Sequence, residues 1–181
     1  MITRRRMLEA TAALTGVAAL WPQRVIGSPL AGAARRIALS NLHTGERLEV
    51  EYYRAGAYVP EALAALEVLL RDFRNDEKHA IDPKLMDYLV DVAEKIGVPP
   101  AYSVISGYRS PQTIGRLHER SSGVAQHSLH VLGRAVDVRV SGVDCQDVAA
   151  RAAGLKRGGV GFYRGSNFVH LDTGAVRTWR G

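Results

Sequence analysis

The run Ser128-Leu129-His130-Val131-Leu132-Gly133-Arg134-Ala135-Val136-Asp137 sets the reading of the fold. From Arg134 to Val140 it alternates as a strand. Val136, Val138 and Val140 face one way, and Ala135, Asp137 and Arg139 face the other. His130 sits in the loop entering that strand, and Gly133 permits the turn between them. A second stretch, Phe168-Val169-His170-Leu171-Asp172, reads as another strand, with Phe168, His170 and Asp172 on one side. Two adjacent antiparallel strands of this kind bring Asp137 and His170 together, with His130 reaching over from its loop. Periodicity alone leaves that pairing open.

Outward from these strands the chain alternates its signals. Ile37–Tyr52 reads as a β-hairpin around Asn41-Leu42-His43-Thr44-Gly45-Glu46. Pro60 opens a helix carrying Leu63, Leu66, Leu70 and Phe73 on one face. Arg74 to Ala80 is a charged loop. Asp82-Pro83 caps a second helix with a Leu85, Leu89, Val92, Ile96 stripe, stopped by Gly97 and Pro99-Pro100. Tyr102–Ile105 is a short strand, Ser110-Pro111 starts another helix, and Ser121–Leu129 is a polar loop. Asp144 caps a helix to Gly154, with Cys145 buried in it. Strands follow over Gly158–Tyr163, Asn167–Leu171 and Val176–Trp179. Helices come early and strands late, so the expectation is an α+β fold: a small antiparallel sheet with helices packed on one side.

The chain has 181 residues, enough for one domain with a real core. Its single cysteine excludes a disulfide framework and a cysteine-rich zinc site, and fits an oxidising compartment. The net charge of +6 invites a nucleic-acid reading, but residues 1–33, with four arginines against one glutamate, account for half of it. No Lys/Arg-rich helix or aromatic RNA platform appears, so nucleic acid is not an expected partner. Those first residues read as an address. Thr3-Arg4-Arg5-Arg6-Met7-Leu8-Glu9 resembles a twin-arginine export signal, with Glu9 in place of the usual Lys. Ala10–Trp21 is apolar but shorter than the roughly 20 residues that span a bilayer. Ala31-Gly32-Ala33 offers a small-x-small cleavage site. The expected organisation is a signal over 1–33 and a peptidase domain over 34–181. The chain is expected in the periplasm, as a monomer without stable membrane insertion after cleavage.

Two histidines and a carboxylate suit a catalytic zinc, which takes three protein ligands and keeps a position open. His43, His79 and His118 read as surface residues, and His127, three residues before His130, stays open. The pattern Ser128-x-His130-x6-Asp137, preceded by Ser106-Gly107-Tyr108-Arg109-Ser110-Pro111 and followed by Phe168-Val169-His170-Leu171-Asp172-Thr173-Gly174, resembles the YcbK/MepK-type murein endopeptidases. These belong to the D-Ala-D-Ala metallopeptidase group, whose fold is shared with the hedgehog amino-terminal domain and lysostaphin-like enzymes. The likeness runs from about Leu66 to Gly181.

The resemblance implies one Zn2+ held by His130, Asp137 and His170, and peptidoglycan stem peptides as substrate. It implies that Arg109 steadies the developing oxyanion and that Ser128 touches substrate. Tyr108, Tyr163 and Arg177 are expected along the stem-peptide groove, while Trp179 fits groove or core. The general base departs from the family. Asn167 stands where related dipeptidases place Glu, and Phe168 where other relatives place His. Asp172 and His127 are the candidates, and Asp172 fits equally a role orienting His170. The reaction expected is hydrolysis of peptide cross-links. Trimming of terminal D-Ala by a D,D-carboxypeptidase, or a zinc-holding wall-binding module without activity, are the alternatives.

Overall fold

The computed structural model describes residues 33–120 and 128–181. The expected export signal therefore falls almost wholly outside the described residues, and His127 lies outside them too. Thirteen elements follow in order: β1 (Arg35–Asn41), β2 (Arg47–Arg54), β3 (Ala57–Tyr58), α1 (Pro60–Leu69), α2 (Pro83–Ile96), β4 (Ala101–Ser106), α3 (Pro111–Arg120), a 3-10 turn (Leu129–Leu132), β5 (Ala135–Arg139), α4 (Cys145–Gly154), β6 (Gly159–Tyr163), β7 (Phe168–Asp172) and β8 (Arg177–Arg180).

All eight strands form one sheet in the order β3-β2-β1-β4-β5-β7-β6-β8. This corrects the expectation of a small antiparallel sheet: the sheet is large and mixed. β1 runs parallel to β4, and β6 runs parallel to β8. Both parallel pairs join segments whose local alternation says nothing about their partner, which is why the strand pattern alone missed them.

Local chemistry sets the element ends. Asp82 accepts a hydrogen bond from the Lys84 amide at 3.0 Å, and Pro83 fits the first turn of α2. Asp144 caps α4 through the Gln146 amide at 2.6 Å. α1 ends at Leu69, short of the expected Phe73. Beyond it the Asp72 amide bonds the Glu77 carbonyl, so the chain turns back, and Phe73 stacks on His43 instead.

The apolar faces meet on one side of the sheet. Val136, Val138, Val160, Val169 and Leu171 are at most 2% exposed, and they share one core with Leu85, Leu89 and Val92 of α2 and Val148 and Ala152 of α4. Cys145 joins that core, as expected. Burying a side chain of this size stabilises by roughly 1.5–3 kcal/mol each, so the core holds β5, β7 and β6 rigid. α3 starts instead over the buried Asp72, whose carboxylate accepts from the Ser110 amide and hydroxyl at 2.9 and 3.0 Å. No helix among the described residues is long and apolar enough to cross a membrane.

Candidate metal centre

The valine side of β5 goes to the core, so its odd partner, Asp137, faces the opposite side of the sheet. There the registers align a row of residues: Ser106 of β4 opposite Asp137, Asp137 opposite His170 of β7, His170 opposite Gly161 of β6, and Gly161 opposite Trp179 of β8. The antiparallel pairing of Asp137 with His170 is the one left open by the alternation. His130 joins them from the 3-10 turn. That turn closes at Gly133, whose φ is +63° and where a Cβ would land on the Ala80 carbonyl oxygen. Only glycine meets both demands, so Gly133 fixes the path from His130 into β5.

Three ligand-type atoms form a near-equilateral triangle. His170 Nδ1 lies 3.0 Å from Asp137 Oδ1 and 3.1 Å from His130 Nε2, and His130 Nε2 lies 3.3 Å from Asp137 Oδ1. The far sides of both rings decide their tautomers. His130 Nδ1 is 2.6 Å from the Gly107 carbonyl, which only accepts, so Nδ1 carries the hydrogen. His170 Nε2 donates to Asp172 Oδ2 at 2.9 Å. Each ring therefore turns a lone pair inward, and Asp137 adds another. Three acceptors within contact distance repel unless a cation or a proton sits among them.

Tetrahedral zinc ligands with bonds of about 2.0–2.1 Å lie about 3.3 Å apart, so the triangle has the edge lengths of three corners of such a site. His130, Asp137 and His170 are 2%, 2% and 8% exposed; the cluster could hold a metal ion. Burial pushes the His130 pKa down and favours its neutral, ligating form. Burial opposes ionisation of Asp137 as well, but His130, His170 and Arg109 outweigh it and hold that carboxyl well below the usual range. For His170 burial again works downward. Hydrogen bonds to Asp137 and Asp172 outweigh it, so its pKa is raised.

The other expected residues fall into place unevenly. Arg109 reaches the centre: its Nε donates to Ser106 Oγ at 2.7 Å and its Nη2 to the outer oxygen, Oδ2, of Asp137. Asp172 is fully buried, and both its oxygens are engaged. Oδ1 accepts from the Gly159 and Gly174 amides and Arg177 Nη1, at 3.1, 2.8 and 3.1 Å. Oδ2 accepts from His170 and, at 2.7 Å, from Arg177 Nη2. Burial raises its pKa, but these donors outweigh it and hold the carboxyl well below the usual range. A carboxylate so saturated has no lone pair to offer water as a base.

Arg177 thus spends its fork on Asp172. Tyr108 is 5% exposed and donates its hydroxyl to Glu77 at 2.9 Å, which leaves its ring little surface for a groove. Ser128 is half-buried at the head of the 3-10 turn. Trp179 lies beside the centre, its ring centroid 5.1 Å from that of His170, and its Nε1 donates to the Tyr163 hydroxyl at 3.0 Å. His43 is exposed, as expected of it, whereas His79 and His118 are half-buried.

Sequence reasoning missed three parts of the site. The Gly107 carbonyl carries no side-chain signal. Ser106 stands in the Ser-Gly-Tyr-Arg-Ser-Pro motif, where nothing local marks it as the partner of Arg109 Nε. Gly161 is needed because a Cβ there would sit 2.5 Å from the Trp179 ring, so the indole can lie across β6 against His170.

A protein-family model described as "Peptidoglycan L,D-endopeptidase MepK" matches residues 30–179. The chain is 37% identical over 179 residues to the probable peptidoglycan L,D-endopeptidase MepK of Haemophilus influenzae, covering 98% of this chain and 96% of that protein. It is 38% identical over 175 residues to the peptidoglycan L,D-endopeptidase MepK of Escherichia coli K12 and to that of Shigella flexneri, covering 97% of this chain and 96% of each. No solved structure matches.

Proposed function

From the premise that the chain belongs to the MepK peptidase family, we propose that it is a zinc-dependent murein endopeptidase hydrolysing L,D-type peptide cross-links of the cell wall. The observation that carries the metal reading is the triangle of inward lone pairs with edges of 3.0–3.3 Å. The relatives, named as endopeptidases, favour this reading over a D,D-carboxypeptidase or a wall-binding module without activity.

His130, Asp137 and His170 would hold the ion. When bound, it supplies Lewis acidity toward a peptide carbonyl and activates water near neutral pH. The chain's own residues do the rest. The Gly107 carbonyl and Asp172 fix the two imidazole tautomers, so neither ring turns its hydrogen inward. Arg109 holds the outer oxygen of Asp137 and thereby aims the inner one. Its Nη1, engaged by neither Ser106 nor Asp137, is left to meet charge developing on the scissile carbonyl oxygen. With Asp172 saturated, the base role passes to His127, and Ser128, the next residue in the sequence, is assigned a stem-peptide contact.

In this reading residues 1–33 export the chain by the twin-arginine route, residues 34–181 act in the periplasm as a monomer, and the substrate is the anionic stem peptide. The supporting features are the Arg4-Arg5 motif and the mild positive charge of the remainder. The test is mass spectrometry of sacculi digested by the zinc-loaded protein, with and without chelator. Chelator-sensitive release of peptides cleaved between two cross-linking residues supports the reading. Release of free D-Ala alone, or sacculus binding with no product, overturns it.

A further inference from the structure

We infer that Arg177 is a positioning residue of the metal centre: from β8 it locks the Asp172 carboxylate in the orientation that turns the Nδ1 lone pair of His170 toward His130 and Asp137. The inference rests on the metal reading above and replaces the expectation that Arg177 contacts substrate.

The two oxygens of Asp172 are held unequally. Oδ1 has two backbone donors, Gly159 and Gly174, besides Arg177. Oδ2, the oxygen that accepts the His170 hydrogen, has only Arg177 Nη2 beside it. Without Arg177 the carboxylate stays tethered on one oxygen and is free to rotate the other away from the imidazole. The guanidinium fork grips both oxygens at 3.1 and 2.7 Å, the two-pronged geometry that resists such rotation. The fork is itself braced. Its carbon lies 5.0 Å from the Trp179 ring centroid, and across the sheet Gly159 leaves it room, since a Cβ there would sit 2.5 Å from Arg177 Nη1. Arg177 and Trp179 are two residues apart on β8, so one short edge strand supplies both the lock and its brace. Lysine could reach one oxygen but could not grip two.

The test compares wild type, Arg177→Ala and Arg177→Lys as full-length, metal-free protein, titrated with Zn2+ and with Co2+. Expected are a roughly 10- to 100-fold loss of zinc affinity in Arg177→Ala and a changed Co2+ visible spectrum, because His170 shifts. On murein peptides kcat falls more than KM rises, and Arg177→Lys recovers only part of each. Should Arg177→Ala fail to fold, as judged by its metal-free Tm, Arg177→Lys carries the same comparison. Wild-type metal affinity and an unaltered Co2+ spectrum together with a raised KM would overturn the inference and return Arg177 to substrate contact. If metal affinity falls as expected but wild type cleaves no murein, the positioning role stands and the endopeptidase reading fails.

Discussion

Two polar clusters sit in different parts of the sheet, one at its β2–β3 end and one on the interior strands β5 and β7, and they are wired in opposite ways. At the β2–β3 end, Asp87 of α2 accepts from Arg35 Nη1 at 2.7 Å, the Tyr52 hydroxyl at 3.0 Å and the Tyr58 hydroxyl at 2.6 Å. Burial, with Asp87 adding to it, raises both tyrosine pKa values, that of Tyr58 to about 12, so each hydroxyl stays a neutral donor. Three donors meet one carboxylate, and the cluster is complete. On β5 and β7 three acceptors meet one another, and the donors nearby are aimed at their far sides. A balanced cluster holds the fold together. An acceptor-only cluster is complete only when a proton or a cation sits among its members, and it is the cation that the proposed function assigns to it.

Breaking the acceptor cluster has the largest expected effect. His170→Ala removes one corner of the triangle, so zinc binding and peptide release both fall to background, measured by metal content and by muropeptide mass spectrometry. Retained zinc with lost activity would point to some other centre. Breaking the donor-balanced cluster acts on stability instead. Asp87→Ala takes the acceptor from the buried Tyr52 hydroxyl and the half-buried Tyr58 hydroxyl, while Arg35 keeps Asp91; the expected cost is about 1–3 kcal/mol in denaturant unfolding, while zinc affinity of the folded protein stays at the wild-type value.

Withdrawing the metal sharpens the contrast from the other direction. Zinc at a hundredfold excess over its dissociation constant adds about 2.7 kcal/mol to stability. Chelation is therefore expected to lower the Tm of wild type and of Asp87→Ala alike, and to leave the Tm of His170→Ala unchanged.

The smallest effect concerns a third carboxylate, Asp72, completely buried under the start of α3. Burial raises its pKa, but hydrogen bonds from Thr113, the Ser110 amide and hydroxyl and the Arg74 amide outweigh it, so the folded value lies below the ordinary 3.8. A depressed folded pKa adds stability that is present above the unfolded value and lost as pH falls through the folded one. Asp72→Asn is expected to destabilise by about 1–2 kcal/mol at pH 7, with the gap to wild type closing below about pH 4 in urea unfolding.

The centre was more legible than the sheet around it, for a physical reason. Alternation along β5 and β7 dictates which side Asp137 and His170 face, and Gly133 marks the turn that returns His130 to them. Those are local properties. The parallel pairing of β1 with β4 and of β6 with β8 is not local, and nothing in Arg35–Asn41 or Arg177–Arg180 announces its partner. The role of Asp172 was equally hidden. Its position on the His170 side of β7 is plain from spacing, but its donors are the amides of Gly159 and Gly174 and a guanidinium from β8. Only their convergence shows that both of its oxygens are already engaged, which is the support for the proposed orienting role. The overshoot of α1 to Phe73 is the reverse error, a helical stripe extended past the point where Asp72 pairs back to Glu77.

Whether a cation, rather than a proton, completes the three inward lone pairs is tested most directly by calorimetric titration of Zn2+ into the metal-free, full-length protein, beside His130→Ala and His170→Ala. The prediction is one zinc per chain in wild type and none retained in either variant. Failure of wild type to bind zinc, or binding that survives both substitutions, would contradict it.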